Sequence, residues 1–226
     1  MGDPEVTALE VVEDFSATAR CDEGFLQLRR LRVRNRRSDG TSSPVYRVDV
    51  VDRPKLDAVA VLVWRTGAGG IREFLTRENL RPAAYFRQGK QPTVPDGRSH
   101  LFCEEIVAGL LELHDAGDAG LKLRCAAEVL EESGFEVPAD GVRLLGAPFF
   151  LAPGILSEKI FPAEVDVTGL QQAPAEGDGS PLEEGGRIRW RTAEELFAAF
   201  ESGVIQDAKT ELILQRFLRR AQQVAQ

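Results

Sequence analysis

The sequence predicts an α/β sandwich built around a mixed sheet, with a small β-rich unit ahead of it. Three observations predict this. The run DAVAVLVW (57–64) is continuously apolar after its opening Asp57, as a strand buried on both faces would be. Strand-like and helix-like stretches then follow one another without strict strand–helix–strand alternation, which favours a sandwich over a doubly wound sheet. Before residue 53, two strand-like stretches flank a turn.

In chain order, FLQLRRLRVRNRR (25–37) alternates imperfectly between apolar residues and arginine, SDGTSS (38–43) is a turn signal, and VYRVDVV (45–51) reads as the returning strand. The β-rich unit is thus assigned to 1–52 and the main domain to 53–226. The arginines at 29, 30, 32, 34, 36 and 37 read as the solvated face of this ribbon. After the apolar run, TGAGG (66–70) turns into a strand over 72–79, and 86–100 is a loop. LFCEEIVAGLLE (101–112) returns as one strand ending near Gly109. A loop leads to a helix over 121–133. VRLLGAPFFLA (142–152) and KIFPAEVDV (159–167) are strands separated by the loop PGILSE (153–158). QQAPAEGDGSPLEEGG (171–186) is polar, rich in Gly and Pro, and reads as a mobile loop. RIRWR (187–191) is a short strand. Helices over 193–202 and 207–221 close the chain, the last with Leu212, Leu214, Phe217 and Leu218 as core contacts.

Composition narrows the chemistry. The chain has 226 residues, 43% hydrophobic and 28% charged, which is ordinary for a globular protein with one sizeable core. A net charge of −8 argues against a nucleic acid polymer as partner, because polyanion binding needs a broad basic surface. Three widely spaced cysteines make no disulfide framework and predict a reducing, cytoplasmic setting. The start MGDPEVTALEVVEDF lacks the pattern of a secretory leader, and no apolar run is long enough to span a membrane. Only His100 and His114 are present, so polyhistidine zinc sites and Ser-His-Asp triads are disfavoured and the chemistry falls to carboxylates.

The carboxylates stand out in LKLRCAAEVLEESGFEV (121–137). Leu121, Cys125 and Val129 recur every four residues on an apolar face. Glu128, Glu131 and Glu132 stand at i, i+3 and i+4 and share a different face, where like charges repel. A hard divalent cation would relieve that repulsion. Gly134 sits where a left-handed cap belongs, with Phe135 able to pack back beyond it. Three glutamates on a helix are ordinarily a solvated face, but the longer pattern points elsewhere. EVLEESGF (128–135) matches the E-U-x-E-E-x-G-U core of the Nudix box, U being a bulky apolar residue, and Ala108-Gly109 close the strand upstream as the box glycine does. The chain therefore resembles the Nudix hydrolases. It departs from the full box G-x5-E-x7-R-E-U-x-E-E-x-G-U in two places. Gly109 lies 19 positions before Glu128, four more than the pattern allows, and Ala127 replaces the arginine that holds the glutamates, a task left to another residue such as Arg124.

Three further stretches resemble the ADP-ribose and nucleoside-diphosphate-sugar pyrophosphatases of that family: TRENLRPAAY (76–85), FFLAPGILSEKIFPAEV (149–165) and GVIQDAKTELILQRFL (203–218). The resemblance implies a Nudix-type α/β/α sandwich, a homodimer formed through the β-rich unit, and magnesium, or manganese in its place, held by Glu128 and Glu132 with help from Glu131 and the Ala108 carbonyl. It implies hydrolysis of a nucleoside diphosphate sugar of the ADP-ribose, UDP-glucose or GDP-mannose type to a nucleoside monophosphate and a sugar phosphate. Glu158 or Glu131 would take the proton of the attacking water, with Glu132 also in the catalytic set. Arg81 and Gly109 would meet the substrate, and Arg53 would reach the substrate of the neighbouring subunit. Other expectations left open are a different nucleoside diphosphate derivative as substrate, or a Nudix scaffold that binds a nucleotide sugar without cleaving it.

Overall fold

The computed structural model describes residues 7, 18, 20–177 and 179–224. Most of the acidic opening stretch, and with it the first part of the expected β-rich unit, lies outside the described residues. Strands β1 (Gln27–Val33) and β2 (Tyr46–Asp52) pair antiparallel as a two-stranded sheet of their own, with the six ribbon arginines exposed.

Beyond the ribbon the fold is α/β, with eight strands in one mixed sheet. Strand β3 (Ala58–Thr66) lies at its centre. It pairs at one end with β4 (Arg72–Leu80). The short helix α1 (Pro82–Tyr85) and a 3-10 turn follow, in a stretch that includes part of the expected loop. The stretch expected as one strand over 101–112 is two: β5 (Phe102–Glu105) pairs with β4, and β6 (Val107–Leu110) pairs with β3. The chain crosses between them at Ile106, whose N–H leaves the ladder and donates to the Thr210 hydroxyl at 3.0 Å. Helix α2 (Gly117–Ser133) begins four residues earlier than its periodicity predicts. Strands β7 (Arg143–Leu144) and β8 (Phe149–Phe150) replace the single strand expected over 142–152. Strand β9 (Lys159–Asp166) runs parallel to β3, β10 (Ile188–Thr192) flanks β4, and helices α3 (Ala193–Glu201) and α4 (Ala208–Val224) end the described chain.

Alternation along β3 makes the sandwich. Val59, Val61 and Val63 face Leu121, Cys125 and Val129 of α2, while Ala60, Leu62 and Trp64 face Leu196 of α3 and Ile213, Leu214 and Phe217 of α4. Both faces are dry, which is why residues 58–64 include no polar side chain apart from the indole of Trp64. Strand β4 obeys the same rule, Phe74 packing on the α3/α4 side and Leu75 on the α2 side. Period two then puts Arg77 and Asn79 on the α2 side, and Arg81 follows just past the end of the strand.

The segment read as mobile is not free-standing. Gly177 N–H donates to the Glu131 carbonyl at 2.8 Å, the Gln172 amide to that of Ser133 at 2.9 Å, and Ala173 N–H to that of Gly134 at 2.9 Å. These carbonyls lie in the last turn of α2 and just beyond it, where a helix leaves acceptors unpaired, so the loop caps α2. Gly134 adopts φ 75°, and a Cβ there would stand 1.9 Å from the Ala173 carbonyl oxygen, so the left-handed cap and the close packing both require glycine.

Candidate active site

A cavity of about 1060 Å³ opens beside the inward-facing end of α2. Every residue expected in the site lines it: Arg53, Arg81, Ala108, Gly109, Glu128, Glu131, Glu132 and Glu158. They arrive from the ribbon exit, the turn just past β4, β6, α2 and the loop before β9.

Glu128 is almost fully buried and lies directly against β6. A Cβ built on Gly109 would stand 1.8 Å from its Cδ and 1.9 Å from Oε1, so glycine at 109 makes room for this carboxylate. Arg124, one turn back, stands 3.7 Å from Glu128 and is itself fixed by Asp115 at 2.8 Å. Asp115 also accepts the Glu112 N–H at 2.8 Å. Burial works against the Asp115 carboxylate, but that N–H and Arg124 hold the group below the usual carboxylate range. The chain thus orders Glu128 from i−4 rather than from the position Ala127 occupies.

Glu132 is in the opposite electrostatic condition. Burial pushes its carboxyl up to about 8, aided by the charge of Glu128, despite nearby Arg77 and a 3.2 Å bond from the Ala108 N–H. An antiparallel strand residue directs its N–H and C=O to the same side, so the Ala108 carbonyl is turned toward α2 as well. Glu131 reaches the same cavity.

Two walls complete the site. On one, the end of β2 is bonded to the loop before β9. Val51 N–H donates to the Ile155 carbonyl at 2.8 Å, Ser157 bonds Asp52, and Arg53 pairs with Glu158, both side chains less than a fifth exposed. Arg53 therefore sits in the cavity of its own chain, with Phe25 5.8 Å beneath its guanidinium and its buried Nε without a partner among the described residues. On the other wall, Arg81 pairs with Glu105 at 2.6 Å, and Glu105 pairs with the buried Lys209, which Asp207 holds at 3.0 Å. Burial disfavours both charges, yet Lys209 and Arg81 keep Glu105 ionised, and Glu105 and Asp207 keep Lys209 protonated. The DAKT stretch is thereby tied to Arg81: Asp207 caps α4 through the Thr210 N–H, and Lys209 braces Arg81 through Glu105.

Sequence reasoning missed Asp115, Arg77, Asn79 and Glu105. For Asp115 there was a signal, an acid six positions after Gly109, where the box pattern places one. For Arg77 and Asn79 it was the period of two from Arg81. Glu105 gave none, since its partners are 24 and 104 residues away.

The donor set suits a hard cation: three carboxylates and a strand carbonyl at one cavity, one carboxylate destabilised by burial, and a glycine that leaves room for another. Among the described residues, however, no three of His, Cys, Asp and Glu converge as a group that could hold a metal ion. Also among the described residues, no helix is long and apolar enough to cross a membrane. The chain matches no protein-family model and no curated protein.

Proposed function

We propose that this protein is a Nudix-type pyrophosphatase that hydrolyses the diphosphate bond of a nucleoside diphosphate sugar in the presence of magnesium or manganese. One observation carries the reading: residues from five separate parts of the chain, singled out as one site by a sequence resemblance, line one cavity. Its arginines and lysines meet anionic oxygens, and its carboxylates suit a cation, which a diphosphate needs together.

Glu128, Glu132 and Glu131 with the Ala108 carbonyl would hold magnesium. Bound there, the ion would draw charge from the diphosphate and make a water more acidic. Arg81, braced by Glu105 and Lys209, pairs with a phosphate oxygen. Glu158 or Glu131 takes the proton of the water that attacks phosphorus. Arg53 holds Glu158 at the cavity wall and presents its free Nε to the substrate. The bond between phosphorus and the bridging oxygen breaks, giving a nucleoside monophosphate and a sugar phosphate. The ribbon, with Leu26, Val45 and Tyr46 exposed, supplies an apolar surface for a homodimer.

A second reading, nucleotide-sugar binding without cleavage, is favoured by the absence of a converged metal group among the described residues. A panel of ADP-ribose, UDP-glucose and GDP-mannose separates the two. The hydrolase reading expects monophosphate release from at least one, abolished by EDTA. Binding in EDTA with no product under any metal would establish the second reading.

A further inference from the structure

We infer that Asn79 is the residue that recognises the sugar, by accepting a hydrogen bond from a hydroxyl on the far side of the diphosphate. This rests on the diphosphate reading and names a specificity residue within it. Asn79 lines the cavity, is 5% exposed, and its Oδ1 is buried with no hydrogen-bond partner among the described residues. A buried acceptor left unpaired is destabilising, so Oδ1 calls for a donor from outside the chain, a water or a ligand hydroxyl that displaces it.

The chemistry of that place is restrictive. An amide oxygen accepts and cannot donate, so a phosphate oxygen cannot satisfy it. Arg81, two residues on and just past the end of β4, lines the same cavity and attracts phosphate, whereas Arg77, two residues before, is buried against Glu183. The group that meets Oδ1 is therefore a donor carried close to a phosphate. Cys103, opposite Asn79 across the β4–β5 ladder, has its thiol pushed up by burial and by Glu105, so it brings no charge. Asn79 belongs to the wall of Arg81, Glu105 and Lys209. Phe25 is the one phenyl ring among the lining residues and belongs to the wall of Arg53 and Glu158, while the His100 imidazole, the other ring there, is tied to Asp96. A nucleobase needs such a face, so the base takes the Phe25 wall and the sugar the Asn79 wall.

The test is isothermal titration in EDTA with the full chain. The probes are UDP-glucose, ADP-ribose and GDP-mannose, each compared with the β-butyl ester of its own nucleoside diphosphate, which keeps the nucleoside and lacks the sugar. The native chain should prefer at least one nucleotide sugar by about tenfold or more. Asn79→Leu should erase that preference while leaving butyl-ester affinity within about twofold. Asn79→Asp keeps an acceptor but adds charge, so it should weaken both ligands and retain the preference. An Asn79→Leu chain that keeps the native preference, or loses affinity for both ligands equally, overturns the inference while the diphosphate reading stands. A native chain that binds neither ligand, in EDTA and with magnesium present, overturns both.

Discussion

Replacing Gly109 by alanine puts a methyl group where the Glu128 carboxylate now lies. The new Cβ would stand 1.8 Å from Cδ, 1.9 Å from Oε1 and 2.2 Å from Oε2. Non-bonded carbon atoms settle at about 3.5–4.0 Å, so the carboxylate must retreat by about 1.5 Å or more. The backbone at 109 does not have a positive φ, and alanine is no worse than glycine in a strand, so the fold has little reason to suffer. The clash falls on the far end of a flexible side chain, and the expected loss of stability is about 1 kcal/mol or less. Function should respond quite differently. A displacement of about 1 Å at a reacting centre costs about a hundredfold in rate, so kcat/KM with a nucleotide sugar and magnesium should fall by at least that much. The assay pairs turnover with thermal melting of the same preparation. A melting temperature near native with turnover reduced about a hundredfold fits the geometry. Undiminished turnover would refute the claim that Glu128 acts from where it now sits, and a collapse in melting temperature would show that Gly109 serves packing instead.

Other outcomes follow from the same contacts. Arg124→Ala should lower turnover and destabilise the fold by about 2 kcal/mol in urea denaturation, because Asp115 and Glu128 lose their shared cation; Arg124→Lys should recover part of both, and a silent Arg124→Ala would leave Ala127 uncompensated. The Glu132 carboxyl, raised to about 8, binds its proton more tightly in the folded chain than in the unfolded one. Its contribution is full below the ordinary glutamate pKa and is lost as pH rises from there through about 8. At about 1.4 kcal/mol per pKa unit the ceiling is about 5 kcal/mol, reduced by water at the cavity mouth. Metal-free protein should therefore lose stability across this window, and Glu132→Gln should flatten that loss; equal pH slopes for the two chains would contradict it.

How much was legible depended on where each contact lies in the chain. The apolar run of β3, the Leu121–Cys125–Val129 stripe and the Gly134 cap are local patterns, and they stand as read. The break at Ile106 was hidden because a switch of strand partners leaves composition unchanged; its N–H finds Thr210, 104 residues on. The loop over 171–186 was misread for a related reason. Its polar residues suggested solvation, yet its amides serve carbonyls of α2 that no local pattern reveals. In the site, the glutamates were legible by helical spacing, whereas the Asp115–Arg124 brace and the Glu105–Lys209 support needed the fold to bring them together.

The central claim is that the Glu128–Glu131–Glu132 face supports metal-dependent cleavage of a diphosphate. Its most direct test is release of nucleoside monophosphate from a nucleotide sugar, measured with and without magnesium, for the native chain and Glu132→Gln. The account predicts magnesium-dependent release by the native chain and none by Glu132→Gln, with the variant still folded by circular dichroism. Turnover retained in a folded Glu132→Gln chain would contradict it.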